Sequence, residues 1–366
     1  MVQKLEGHTR IDVADALRGL AVMGIIVLHT IEHFNFYSFP DPASQGAWLN
    51  FSDKAIWNGL FFLLSGKAYA VFALLFGFSF FIQDDNQRMR GKDFRLRFCW
   101  RLVLLFIFGN INAVFFTGEV LVLYSLVGFI LPLTCRLKDK WMFILACVLL
   151  IQPLSIYYMI CACMDSSFVI PSIPTDSFWG AAFEVQSHGT FFETMRVNLW
   201  EGQLASLAWA WEHGRVFQTA SLFLFGLLIG RRNLFLKENL KFWNKVLCGA
   251  LIAFFPLYGL GNMLPQFIMS NSILTPLLLV ITSLSNFSFM LILVSGIINA
   301  FYRTNLHGLL MKITPYGKMS LTNYVTQSII GSLIFYNWGL AMHSHAGITV
   351  SCLIGILLFA CQFAFC

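Results

Sequence analysis

Ile11-Asp12-Val13-Ala14-Asp15-Ala16-Leu17-Arg18-Gly19-Leu20-Ala21-Val22-Met23-Gly24-Ile25-Ile26-Val27-Leu28-His29 is an apolar run that carries an arginine and a histidine on one face. Along an α-helix, eleven steps of about 100° bring His29 back to within roughly 20° of Arg18, about 16 Å further along the axis. A guanidinium inside a lipid-spanning helix costs about 2.5–3.5 kcal/mol on insertion scales. A chain keeps such a group where it faces a polar cavity or a partner. The pair therefore marks where function is to be sought.

The surrounding composition is that of a membrane protein. Of 366 residues, 58% are hydrophobic and only 11% are charged, against about 25% in soluble domains. The net charge of +6 does not point to nucleic acid, because most Lys and Arg sit in short connections between apolar runs. Nine cysteines, none in a Cys-x-x-Cys pair, read as small buried hydrophobes. The first apolar run is entered by charged residues and lacks a small-residue cleavage site, so it is expected to stay as a transmembrane helix.

Apolar runs over about 13–32, 56–82, 102–117, 119–135, 141–163, 216–230, 246–264, 273–300, 319–338 and 347–366 predict an all-α, polytopic helical bundle of about ten spans. The 56–82 run is too long for one simple span, and Ser65-Gly66-Lys67 inside it suggests an interfacial or re-entrant piece followed by a span. With the N-terminus cytoplasmic, the inside connections hold Arg88 to Arg101, Arg136 to Lys140, Arg231 to Lys245, Arg303 and Lys312. The outside connections hold only Lys54, Arg196 and Arg215. This bias predicts both termini inside, a single integral membrane domain over 1–366 and a cytoplasmic-membrane location. The long connection 164–215, rich in Trp and Phe, is expected outside, lying in the interface and capping a cavity.

Several constellations carry possible chemistry. His29, Glu32 and His33 stand at i, i+3 and i+4 and share a face. A histidine beside a carboxylate is a workable general base; the plainer reading makes Glu32 and His33 ordinary interface residues. Arg18 either holds an anionic ligand or pairs with Asp15 or Asp12. Lys67 is a second costly cation, or a snorkelling one. Asn112, Glu119 and Tyr124 surround the turn Phe116-Thr117-Gly118-Glu119, where Glu119 also suits a helix first turn. Asn323 and Gln327 lie at i and i+4, as ligand contacts or as amides joining helices. His343 and His345 are weak metal candidates, and no metal is expected. No phosphate loop, nucleophile elbow or His-Glu-x-x-His occurs, which speaks against a primary pump.

Five stretches resemble the YeiB-like bacterial inner-membrane proteins, filed as a domain of unknown function. They are Asp15-Ala-Leu-Arg18-Gly-Leu-Ala-Val-Met-Gly, Gly66-Lys67 through Phe76-Gly77-Phe, Gly118-Glu119-Val-Leu-Val-Leu-Tyr124, Gly226-Leu-Leu-Ile-Gly230-Arg231, and Tyr316-Gly317-Lys318-Met-Ser-Leu-Thr-Asn323-Tyr324-Val-Thr-Gln327-Ser328. The family's helical core is similar to that of transmembrane acyltransferases, whose polysaccharide acetylases carry Arg-x10-His in the first helix. Arg18 and His29 match that spacing. The resemblance implies that Arg18 positions the acyl donor or the helix, and that His29 acts as catalytic base or acyl relay.

Four departures stand out. The family more often has Asn at the position of His29, His at that of Asn112 and Asp at that of Glu119. Its members also commonly continue past the last helix, whereas this sequence stops at Phe365-Cys366, which reads as a truncation.

The expected function is acyl transfer from a cytoplasmic thioester such as acyl-CoA, as co-substrate, to an extracytoplasmic lipid or glycan acceptor. His29 would be the base, helped by Glu32 or Glu119, with Arg18, Lys67, Asn112, Tyr124, Asn323 and Gln327 around the substrates. A transporter or lipid flippase without covalent chemistry is the alternative, although no inverted repeat shows in the sequence. A non-catalytic membrane partner is the third reading.

Overall fold

A computed structural model describes residues 11–165 and 167–366; the first ten residues of the expected single domain lie outside the described residues. The described chain is all-helical, with no strand. In order it runs α1 (Asp12–Ile31), α2 (Ala47–Leu64), α3 (Ala68–Met89), α4 (Arg95–Ala113), the short α5 (Leu121–Val127) and α6 (Ile130–Thr134), α7 (Asp139–Leu150) and α8 (Pro153–Met164). Then come α9 (Thr175–His188), α10 (Phe191–Val197), a π-helical turn (Asn198–Gly202) and α11 (Gln203–Glu212). The last six are α12 (Arg215–Arg231), α13 (Leu240–Met263), α14 (Asn271–Arg303), α15 (His307–Lys318), α16 (Ser320–Phe335) and α17 (Ile348–Phe365).

Among the described residues, six helical stretches are long and apolar enough to cross a membrane, or seven if the bent pair α7–α8 is one span. Of the ten runs read from the sequence, 119–135 forms only the broken α5–α6, while α12 and α16 hold 17 and 16 residues. The 141–163 run bends by 52° at Gln152, which sits in the left-handed region before Pro153. Proline removes an amide donor and clashes with the preceding turn, so the helix cannot pass straight through. The 56–82 run divides at Gly66, whose φ of +73° a β-carbon would strain.

α1 is the central pillar: 72% of its apolar window is buried, against 11% for the peripheral stretch containing α13. Two close crossings fix its neighbours. α15 meets α1 where Gly317 packs on the Asp15 backbone and Gly19 on that of Ile313. α12 meets α3 where Gly77 packs on the Phe223 backbone and Gly226 on that of Leu74. Small residues let backbones approach in this way, and dispersion at close range then holds the pair.

The basic connections gather at one end. Asp93 takes Arg95 at 2.7 Å and Arg136 at 3.7 Å, and Asp139 takes Arg231 at 3.0 Å and Arg232 at 3.2 Å. Hydrogen bonds from Arg95 hold the Asp93 carboxyl down at about 2. At the opposite end, α9 to α11 lie over the bundle. Asn198 donates to Val114 O at 2.9 Å, and the Asn337 amide donates to Gln186 O at 3.0 Å.

Candidate active site

The half of the bundle remote from the basic connections, labelled outer for that position alone, holds a cavity of about 550 Å³ beneath α9 and α11. Its chemistry starts where α1 ends. Past Ile31 the backbone widens: Phe34 N donates to His29 O at 3.0 Å and Tyr37 N to Glu32 O at 2.8 Å, both five residues apart. Phe36 and Tyr37 adopt φ of 51° and 53°, a costly choice for side-chain-bearing residues that is concentrated at functional sites. This unwinding gathers His29, Glu32 and His33, whose ligand-type atoms lie within 4.8 Å of one another. Glu32 Oε1 and His33 Nδ1 are 3.0 Å apart. His29 packs on Phe116, ring centroids 4.6 Å apart, and its buried Nδ1 has no hydrogen-bond partner. Two imidazoles and a carboxylate form a donor set that suits a divalent transition metal. It is the only such group among the described residues, where the sequence reading expected no metal.

Glu119 reaches the same cavity from the turn between α4 and α5. Its buried carboxylate accepts hydrogen bonds from Asn112 Nδ2 and Leu121 N. Asn112 therefore holds Glu119 in place and lines neither this cavity nor the inner one. The Tyr324 hydroxyl accepts from Val120 N at 3.4 Å, and Ser206 Oγ of α11 donates to Glu119 O at 3.2 Å, tying the cap to the turn.

The inner cavity, about 420 Å³, carries Arg18 and Arg101 among Phe and Leu side chains. Arg18 donates to Asp15 Oδ1 at 2.6 Å and to Ser79 Oγ at 2.9 Å, so it is ion-paired while facing the cavity. Arg101 donates to Gln83 Oε1. Tyr124 lines this cavity and donates to Tyr69 O at 3.0 Å. One apolar cluster supplies both linings: Phe72, Leu105 and Leu121 face the inner cavity, and Ile25, Ala68, Val120 and Tyr324 the outer one. Arg18 and His29 thus share a helix face on opposite sides of one wall.

The remaining predicted residues stand elsewhere. Lys67 is buried with its Nζ 5.7 and 5.5 Å from the ring centres of Phe62 and Phe289, and lines neither cavity. Asn323 donates to Tyr316 O at 3.0 Å and its carbonyl accepts from Gln362 Nε2 at 3.0 Å, which joins α15, α16 and α17. Gln327 is fully buried with an unpartnered amide, which nothing in the structure explains. Sequence reasoning missed Arg215 as a site residue. It lines the outer cavity, stacks 4.7 Å from Tyr69 and 5.3 Å from Trp209, and donates to Gln218 Oε1 at 2.9 Å. Its place in a connection that the charge bias assigns to the outside, where basic residues are few, was the available signal.

Comparison with known proteins bears out the family resemblance. Residues 229–366 match the family described as Protein of unknown function (DUF418). The chain is 26% identical to the uncharacterized protein YxaH of Bacillus subtilis, over 98% of this chain and 89% of that one. It is 30% identical over 142 residues to an uncharacterized 39.9 kDa protein in the amylase 3' region of Bacillus acidopullulyticus, covering 39% of each. No solved structure matches.

Proposed function

We propose that this membrane protein of the DUF418 family is an acyltransferase, moving an acyl group from a cytoplasmic thioester such as acyl-CoA to an extracytoplasmic lipid or glycan. The observation that carries the reading is the pair of cavities built against one apolar wall, with Arg18 and Arg101 on one side and a histidine–carboxylate group beside Arg215 on the other. In this reading the basic end is cytoplasmic, both termini lie there, and the chain sits in a bacterial cytoplasmic membrane. The broken α5–α6 and the short α12 and α16 complete ten spans, since helices covered by neighbours need not match the bilayer by themselves.

The donor's phosphates meet Arg18 and Arg101, and the acyl-bearing arm passes the wall where Phe72, Leu121 and Tyr324 part. The acceptor's hydroxyl or amine lies in the outer cavity. His29 removes its proton, the freed lone pair attacks the thioester carbonyl, and the tetrahedral adduct collapses with loss of the thiolate. The proton held by His29 then neutralises the thiolate. Glu32 and Glu119 offset the imidazolium charge. A carrier or lipid flippase would also close two cavities with such a wall, so the test must read the thioester.

Thermal stabilisation of purified protein by CoA and acetyl-CoA tests the donor, since a ligand at a hundred times its Kd adds about 2.7 kcal/mol. Arg18→Ala should diminish the shift. His29→Ala should keep it and lose acceptor-dependent thiol release. A well-folded sample that shows no shift up to millimolar CoA refutes acyl transfer from CoA and favours the carrier.

A further inference from the structure

α3 and α12 run side by side in the same direction. Tyr69 bonds Gln218, Gly77 meets Phe223 and Gly230 meets Phe81, so residue numbers rise together along the contact. Their N-termini therefore coincide, at Ala68 and Arg215, beside the Ser65-Gly66-Lys67 turn. Each helix start carries roughly half a positive charge from aligned peptide dipoles. Two full cations stand at the same corner. Arg215 lines the outer cavity, and Lys67, 9% exposed, sits one residue behind Gly66. Among the described residues neither has a carboxylate within 4.0 Å, although Glu32, Glu119 and Asp176 all line the cavity.

Gly66 is the device that keeps the corner open. A β-carbon there would stand 2.9 Å from Asn286 Nδ2 and 3.3 Å from Arg215 Nη2, so both donors close onto bare backbone. Gln218 adds a further unused donor: it is 3% exposed, its Oε1 accepts from Tyr69 and Arg215, and its Nε2 has no partner. Of this corner Gly66 and Arg215 face the cavity, with Lys67 and the Gln218 amide behind them at the two helix starts, and no described carboxylate pairs with either cation, so the field at Arg215 favours an anion from outside the chain.

We propose that this corner is an anion site that receives a phosphate group on the acceptor, carried there by a membrane lipid headgroup. Phosphate is the anionic group that lipid headgroups share, and its oxygens match the fork of a guanidinium. The walls next to the corner, Phe61 and Leu64 beside Ile25 and Leu28, are apolar and suit the glycerol and upper acyl carbons of such a lipid. Arg215 would hold the phosphate while the headgroup's hydroxyl is presented to His29.

The inference rests on the acyl-transfer reading only in calling the ligand an acceptor. Its test is binding without any thioester, so either idea can fail alone. Purified full-length protein in a non-ionic detergent is titrated with dihexanoyl phosphatidylglycerol, with uncharged dihexanoyl glycerol and with inorganic phosphate, each read as thermal stabilisation. The charged lipid should saturate, the uncharged one should not, and Arg215→Gln should weaken the charged lipid at least tenfold. Saturation by inorganic phosphate over the same range, lost in Arg215→Gln, supports the anion site and assigns it a soluble source. Equal binding of charged and uncharged lipids, or an Arg215→Gln affinity within twofold of wild type, overturns the proposal. Should Arg215→Gln fail to fold, the comparison of headgroups on the wild-type protein decides by itself.

Discussion

A methyl group on Gly226 would stand 2.8 Å from Phe78 N and 2.9 Å from the Leu74 carbonyl carbon, inside the α3–α12 crossing. The Leu74 carbonyl oxygen would be closer still, so the two backbones would have to part by clearly more than the 0.6 Å that the Phe78 N contact alone requires before ordinary contact at 3.4 Å is restored. Neither neighbour is a flexible side-chain tip; both are helix backbone. Rigid helices cannot yield locally, and overpacking of this kind costs about 1–3 kcal/mol. Gly77, whose added β-carbon would lie 2.8 Å from the Phe223 Cα, guards the same crossing from the other helix. Once one methyl has opened the crossing, the second finds it open, so the double substitution should cost clearly less than the sum of the singles. Gly296→Ala is the control, since nothing lies within 4 Å of its site and alanine favours the helix by up to about 1 kcal/mol. The assay is the temperature at which the detergent-solubilised protein loses its monodisperse elution peak. If Gly226→Ala and Gly77→Ala melt with Gly296→Ala, the close crossing is not what holds α3 to α12.

Asp53 is buried and accepts from Thr349 N at 2.8 Å and Gln45 Nε2 at 2.9 Å, tying α2 to α17. Asp53→Ala should cost about 1–3 kcal/mol in thermal unfolding by stranding the Thr349 amide, while Asp53→Asn, which still accepts there, should cost less. Desolvation and then the nearby Arg215 charge hold His213 below its ordinary range, so its neutral form is favoured in the fold. Its contribution is complete above the unfolded value of about 6.5 and is lost as pH falls through the folded value; His213→Gln should flatten that limb of a stability–pH curve, and an unchanged limb refutes the assignment. Arg18→Ala should raise the Kd for CoA and His29→Ala should lower turnover, and their effects on kcat/KM should add within about 0.5 kcal/mol, since a wall separates them. Strong coupling between the two would place them in one cavity.

Periodicity made the long helices legible. It could not show the breaks that tertiary partners impose. Pro153 sits openly in the sequence, but Gln152 holds its left-handed conformation while its side chain bonds Gly214 O and Ser283 Oγ, both at 3.1 Å and far away in the chain. The grouping of His29, Glu32 and His33 followed from i, i+3 and i+4, yet the structure gathers them through turns wider than a helix, which no spacing rule contains. Asn112 and Glu119 belong together because one turn folds the second back onto the first. Lys67 was visible as a costly cation; that its charge would rest on Phe289, supplied by α14, was not.

Helical phase assigns a face, and Arg18 and His29 do share one. It does not say which compartment that face meets at each height. The same limit applies to the stretches that carry the family resemblance. Gly77, Gly226 and Gly317 are points where backbones touch, Asn323 joins three helices, and Arg231 donates to Leu137 O at 2.8 Å while pairing with Asp139. These residues build the frame. Arg18 and Glu119 are the members of those stretches whose charges face a cavity, while His29 and Arg215 lie outside them. A resemblance carried mainly by helix crossings argues for a shared bundle. The chemistry has to be argued from the two cavities and the wall between them.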